Sequence, residues 1–217
     1  MRVIPIKTEQ VYPWLLDKHY AKRIPNIMFA FGLYIDDVLK GVITFGKPVS
    51  NNLCYGICGK EHSLIVLELN RLCLMDNNKN ESSFLVANAI KLLPKPSIIV
   101  SYADGGQGHI GYVYQSTNFI YTGAVTAHDD EYMVFGKKTH GRTLTARGIT
   151  KKKEWAKENN IEIVKAKPKH RYIFFHGSKT DKKALNGKLK YGTFPYPKGE
   201  SKNYDAGGTV ITQDTLF

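Results

Sequence analysis

The stretch from position 97 to 123, SIIVSYADGGQGHIGYVYQSTNFIYTG, decides the fold. Ile98, Ile99 and Val100 are consecutive and β-branched, and Pro94 and Pro96 bound them upstream. A run that short between breakers predicts a buried strand rather than a helix. The strand ends at Tyr102-Ala103-Asp104, and Gly105-Gly106-Gln107-Gly108 follows as a turn. His109 to Ser116 reads as a short helix, and Asn118 to Tyr121 as the next strand. In open α/β sheets ligands gather outside the carboxyl ends of strands. Asp104, His109, Tyr112 and Tyr114 fall there together, a density of acid, base and phenol that a turn does not require. The plainer alternative is that Asp104 caps the helix and the tyrosines are core.

Upstream, Arg2 to Ile6 alternates like a strand, and Thr8 to about Tyr20 reads as a helix with Trp14, Leu15 and Leu16 inward. NIMFAFGLYIDDVLKGVITFG, from position 26, reads as a hairpin turning at Asp36-Asp37. Pro48 to Gly59 reads as loop, Ser63 to Leu74 as a strand and Glu81 to Leu93 as a helix. The order β-α-β-β-loop-β-α-β-α-β predicts an α/β chain with a mixed sheet and resembles the N-acetyltransferase-like fold. In that fold the central strand feeds a helix N-terminus that holds an acyl carrier's pyrophosphate, where free N–H groups and the dipole favour an anion. Here Ser82 and Ser83 stand near that N-terminus and Arg71 on the preceding strand, but Asp76 to Glu81 lacks the usual glycines.

Charge divides the chain. Residues 1–136 carry equal numbers of basic and acidic side chains, whereas residues 137–204 carry nineteen Lys and Arg against five Asp and Glu. A neutral body with a basic C-terminal third is an electrostatic footprint for a polyanion, and interleaved aromatics point to nucleic acid. The expected organisation is a catalytic domain over 1–136, a basic extension over 137–198 and a polar tail over 199–217. Lys151, Lys152, Lys153, Lys167, Lys169, Arg171, Lys182 and Lys183 are the candidate phosphate contacts. Within the extension, Ile149 to Asn159 reads as a helix, Ile161 to Val164 and Arg171 to Phe175 as strands, and Ser178 to Leu189 as helix. No apolar run reaches the roughly 18 residues of a membrane span, and no signal peptide is read at the start. Cys54, Cys58 and Cys73 lack a second pair for zinc and read as reduced thiols, as in a cytoplasmic protein.

His19-Tyr20, Gly46-Lys47-Pro48, Ile57-Cys58-Gly59, Glu68-Leu69-Asn70-Arg71-Leu72 and above all SYADGGQGHIGYVYQSTNF, from position 101, carry a resemblance. Across roughly residues 10–197 the chain resembles the Mom family, phage DNA-modification enzymes on an acetyltransferase-like fold. The resemblance implies conversion of adenine in duplex DNA to N6-carbamoylmethyladenine, which shields phage DNA from restriction, in the cytoplasm of the bacterial host. It places functional roles on His19, Tyr20, Arg71, Ser83, Asp104 and Tyr114, with Arg71 and Ser83 on the donor, and it implies bound iron. The donor it implies is a coenzyme A thioester or an activated glycine derivative.

The residues support such chemistry independently. Adenine's exocyclic amine is a poor nucleophile, so a base must take a proton as it attacks, and Asp104 or His19 can serve. Tyr20 and Tyr114 can polarise a carbonyl or stack on an extruded base, and His109 can hold Asp104 or a metal. Arg71 in an apolar strand needs an anion, which either Glu68 or the donor supplies. The target atom lies inside the duplex stack, so the base must be flipped out. Two other classes stay open: a non-enzymatic nucleic-acid-binding protein on a degenerate acyltransferase fold, and an N-acetyltransferase for another amine. Finally, Gln213, Leu216 and Phe217 at the end of the chain resemble the peptide by which DNA-processing proteins dock on the bacterial sliding clamp.

Overall fold

A computed structural model describes residues 1–76, 78–126 and 130–199. The proposed clamp residues Gln213, Leu216 and Phe217 lie outside the described residues. In chain order the elements are β1 (Arg2–Pro5), β2 (Phe29–Ile35), β3 (Val38–Gly46), α1 (Asn51–Cys58), β4 (Val66–Leu74), α2 (Glu81–Lys91), β5 (Ser97–Asp104), α3 (Tyr112–Ser116) and β6 (Ile120–Val125). There follow β7 (Glu131–Val134), β8 (Lys137–His140), α4 (Gly141–Ala146), α5 (Lys152–Glu158), β9 (Ile163–Val164), β10 (Lys169–His176) and α6 (Lys179–Gly187).

The seven-stranded sheet runs β1-β2-β3-β4-β5-β10-β6 and is mixed, with β4 and β5 parallel and the other neighbours antiparallel. The chain is therefore α/β with a mixed sheet, as its element order predicts. The hairpin turns at Asp36-Asp37, both at positive φ (47° and 63°), which suits a two-residue connection between twisted strands. One face of the sheet packs Phe31, Leu67, Leu69, Ile99 and Ala103 beneath α2 and Tyr114 of α3. The other packs Val66, Ile98, Val100, Ile173 and Phe175 against Cys54, Ile57 and Cys58 of α1 and Leu185 of α6.

Three expectations are corrected. Pro48 to Gly59 contains α1, capped by Ser50, whose hydroxyl accepts from the Leu53 N–H at 3.2 Å. Its apolar residues at positions 54, 57 and 58 have helical spacing, which the flanking Pro48 and the internal Gly56 mask in the sequence. Thr8 to Tyr20 is not one α-helix but a 3-10 turn over Thr8–Val11 and a π turn over Trp14–Lys18. The π turn closes with the His19 N–H donating to the Trp14 carbonyl at 2.9 Å. Such wide turns recur at functional sites, and this one ends on His19.

The third concerns the boundary at 136/137, which passes through the β7–β8 hairpin. Strand β10 also returns from the basic third to the main sheet, between β5 and β6. The segment between β6 and β10 instead forms a small sheet, β8-β7-β9, with its own core of Tyr132, Val134, Leu144 and Ala156. It is an insertion between two neighbouring strands rather than a C-terminal extension. No helix among the described residues is long and apolar enough to cross a membrane.

Candidate active site

Strands β4 and β5 pair only over Val66–Glu68 and Ile98–Val100. Beyond that β4 pairs with β3 and β5 with β10, so the two parallel strands part at their carboxyl ends and open a cleft. Ser101 on β5 spans the upper cleft, donating its hydroxyl to the Leu69 carbonyl at 2.9 Å. The Tyr114 phenol lies in hydrogen-bond reach of Ser101.

Strand β4 carries a bulge. Thr44 pairs with Arg71 and Phe45 with Leu69, leaving Asn70 as the extra residue. Strand side chains alternate faces, so without the bulge Glu68 and Arg71 would lie on opposite sides of the sheet. With it, Leu69 and Leu72 both meet the core beneath α2, and Glu68 and Arg71 share the other face. The Asn70 side chain holds the bulge, accepting from the Thr44 hydroxyl at 2.6 Å and donating to the Asn26 carbonyl at 2.8 Å.

Glu68 and Arg71 make no direct ion pair. The Arg71 guanidinium donates to the Asn70 carbonyl at 2.6 Å, and its Nε is buried with no hydrogen-bond partner among the described residues. Burial raises the Glu68 carboxyl above its ordinary value, opposed by the positive charges of Arg71, Arg142 and Lys169. Arg142 comes from α4 of the inserted sheet, and Arg23 from the segment after Tyr20; both also act on Arg71. Of Arg71's two candidate anions, Glu68 acts on it electrostatically without forming an ion pair.

His19 is buried, and its Nδ1 accepts from the Ala21 N–H at 3.1 Å. In the neutral ring the proton then sits on Nε2, which is left as a donor. Burial, with the charges of Arg71, His109 and Arg23, lowers its pKa to about 3. Tyr20 stacks on His19 with centroids 4.5 Å apart and meets the His109 ring edge-on at 6.2 Å. Tyr20 is 41% exposed as a residue, but its hydroxyl acts with Asp104, Arg71 and Tyr114, and burial raises it to about 12. Tyr20 is a donor at neutral pH.

Asp104, one of the two candidate bases, stands at the cleft at the carboxyl end of β5. One carboxylate oxygen accepts from the Gly106 N–H at 2.8 Å, and the other lies 3.6 Å from the Lys169 ammonium. The first of these contacts caps the Gly105–Gln107 turn. His109, exposed, is tied to Asp104 through its backbone N–H. Gly111 closes the loop at φ 88°, and a Cβ there would collide with the Tyr172 ring. The Tyr172 hydroxyl donates to the Ile110 carbonyl. Tyr114 brings a correction: its ring is enclosed by Phe119 and Tyr172 and cannot stack on a base, leaving only its hydroxyl for chemistry.

The start of α2 does not offer the expected pyrophosphate cradle. Glu81 folds its carboxylate back onto the Asn78 N–H at 3.1 Å and the Asn78 amide at 2.9 Å. Ser83 donates to the Asn80 carbonyl at 3.1 Å. The Glu81 carboxylate and the Ser83 hydroxyl are thus turned onto the loop itself. Among the described residues no three His, Cys, Asp or Glu side chains converge on one point, so those residues by themselves form no iron site. Burial raises all three cysteine thiols, Cys58 and Cys73 to about 11, so they stay protonated and packed.

The basic candidates divide. Lys169 borders the cleft, and the small-sheet segment carries Lys151, Lys152, Lys153 and Lys167. Lys151 and Lys153 lie near Glu154 (3.1 Å) and Asp130 (3.7 Å), with both lysines largely solvated. Arg171 is corrected to a structural role: its Nε donates to the Thr122 hydroxyl at 2.8 Å, and its guanidinium lies 3.4 Å from the Tyr191 ring centroid. Lys182 and Lys183 follow the end of β10. That strand runs antiparallel to β5, so its end pairs with Ser97, about 25 Å along the sheet from Asp104.

Sequence reasoning weighed Glu68 only as a partner for Arg71 and did not single out Arg142 or Arg23. An acid in an apolar strand was the available signal for Glu68; nothing local marks the two arginines.

A methylcarbamoylase, Mom, of Escherichia phage Mu is 28% identical to this chain over 207 residues, spanning 89% of this chain and 84% of the relative. A Bacillus subtilis acetyltransferase solved in complex with CoA superposes with a TM-score of 0.46 at 14% identity, over 81% of this chain and 98% of that one. The Mom protein family matches residues 1–198, which hold every element of the cleft, and the chain belongs to that family.

Proposed function

We propose that this protein is a transferase that converts adenine in duplex DNA to N6-carbamoylmethyladenine. The observation that carries the reading is Glu68, a half-buried carboxyl that the β4 bulge sets on the same face as Arg71 at the mouth of the cleft, where burial opposes its ionisation. The adenine amine lone pair is delocalised into the ring, so its attack needs proton removal in the transition state. Glu68 takes the N6 proton while N6 bonds to the donor carbon and the leaving group departs with the bonding pair. Tyr20, Tyr114 and the His19 Nε2–H supply hydrogen bonds where charge develops on oxygen. Arg71 holds an anionic part of the donor, and Asp104 with Lys169 keeps the rim in shape.

The donor is a coenzyme A thioester, whose glycyl group joins N6 through its carbonyl carbon and is then rearranged to the isomeric carbamoylmethyl group, or an activated glycine derivative. The self-closed start of α2 favours one anchored in the cleft by Arg71 rather than by a pyrophosphate at the helix. Basic side chains of the inserted sheet fit phosphate contacts, and the flipped adenine enters at the exposed Tyr20. A non-enzymatic DNA binder has no use for a half-buried carboxyl with a raised pKa, and a small cationic amine is a poor match to a cleft ringed by three arginines. Mass spectrometry of nucleosides from cells expressing the protein tests the reading. Carbamoylmethyladenine present with the natural chain and absent with Glu68→Gln is expected; unmodified adenine with both overturns it.

A further inference from the structure

The β7–β8 hairpin carries a feature that neither the fold nor the cleft uses. Its two-residue turn is Phe135-Gly136, at φ 49° and 74°, and Phe135 is 99% exposed. Both central residues of such a turn need positive φ, for which Asn-Gly or Asp-Gly is the unstrained choice. A phenylalanine there is sterically disfavoured and gains nothing from burial. The two penalties fall on one aromatic ring presented to solvent at the most forward point of a ribbon.

The surroundings name the partner. Lys137 and Lys138 follow Phe135 directly, and the segment continues with Arg142, Arg147 and Lys151 to Lys153. At the other end of the ribbon Glu131 pairs with His140, Glu131 approaches the Gly106 turn, and Arg142 acts on Glu68. The ribbon thus stands with its base on the rim of the cleft and its tip four residues, about 13 Å, away. A two-stranded ribbon fits a groove of duplex DNA, and apolar side chains on such elements wedge between base steps.

We propose that Phe135 inserts into the base stack of duplex DNA and occupies the gap left by the nucleotide that enters the cleft. The inference rests on the reading of the chain as acting on duplex DNA. A cationic ribbon carrying an exposed ring matches a polyanion with an apolar interior, whereas a protein groove would not call for the flanking charge.

The test is binding by fluorescence anisotropy, with the full chain, to a labelled intact duplex and to the same duplex with one central abasic site. The abasic duplex presents a gap without the cost of unstacking a base. The natural chain should bind it about tenfold more tightly, the order of one aromatic–base stacking contact. Phe135→Ala should bind both duplexes alike, and Phe135→Trp should keep the preference. Phe135 packs into no core, so the alanine variant should melt at the natural temperature. A preference unchanged in Phe135→Ala overturns the inference and leaves DNA binding intact. So does a dimer seen by sedimentation that Phe135→Ala abolishes without touching the preference. Failure of the natural chain to bind either duplex removes the DNA reading and this inference together.

Discussion

Glu68 and Arg71 face the same side of β4 although they stand three positions apart, because Asn70 is an extra residue that β3 does not match. The bulge turns an odd spacing into a shared face. It brings a carboxyl and a guanidinium to one cleft without pairing them, and the guanidinium instead donates to the Asn70 carbonyl. Disposing opposite charges close but unpaired costs stability, and such costs concentrate at functional sites.

Removing the Glu68 carboxylate should abolish turnover without unfolding the chain. Glu68→Gln is expected to lower kcat about 100-fold or more, the range of general-base catalysis. The pH–rate profile of the natural chain should fall on its acid side above the ordinary carboxylate range, because burial raises Glu68. His19, at about 3, contributes nothing to that limb. Asp104→Asn should weaken the rim and raise KM while leaving the acid limb in place. An acid limb lost in Asp104→Asn and kept in Glu68→Gln would exchange the two roles.

The bulge itself is open to test. Asn70→Ala removes hydrogen bonds to Thr44 and Asn26 and should cost about 1–2 kcal/mol in denaturant unfolding. Turnover should fall further than stability does, because Arg71 and Glu68 lose their relative placement. Equal activity at reduced stability would confine Asn70 to the fold.

His19 should make stability pH-dependent. Its folded pKa, about 3, lies below the ordinary 6.5, so between those values the unfolded chain binds the extra proton. The stabilisation is fully present above about pH 6.5 and is lost as pH falls towards 3. At pH 5 the loss is about 2 kcal/mol, and thermal melts of His19→Gln should lack that part of the slope. A variant whose melting temperature falls with pH just as steeply assigns the effect to other groups.

Binding to duplex DNA should weaken with salt, with a log–log slope of about −0.9 per phosphate neutralised. Changing Lys151, Lys152 and Lys153 to Ala should flatten the slope and weaken binding to all sequences alike. Lys182→Ala with Lys183→Ala should leave it unchanged, because both lie beyond the far end of β10. Slopes reversed between the two variants would put the DNA on the α6 side.

By itself the sequence determined β1 to β6, β9 and β10, the hairpin at Asp36-Asp37 and the placing of Asp104 at the end of β5. These are local: β-branched runs, turn residues and proline breakers act over a few positions. It also determined the charge asymmetry and the family, which reside in composition and motif. Only the tertiary structure decided that Glu68 and Arg71 share a face, since one unmatched residue in β3–β4 pairing inverts every position after it. It alone took Tyr114 out of reach of a base, because the rings that enclose it are Phe119 and Tyr172, the latter on a strand 55 or more residues on. It alone turned the basic third into an insertion, because β10 finds its hydrogen-bond partners between β5 and β6. Pairing across such distances leaves no periodicity to read, so Arg142 and the Phe135 ribbon came to the cleft unannounced by their neighbours in the chain.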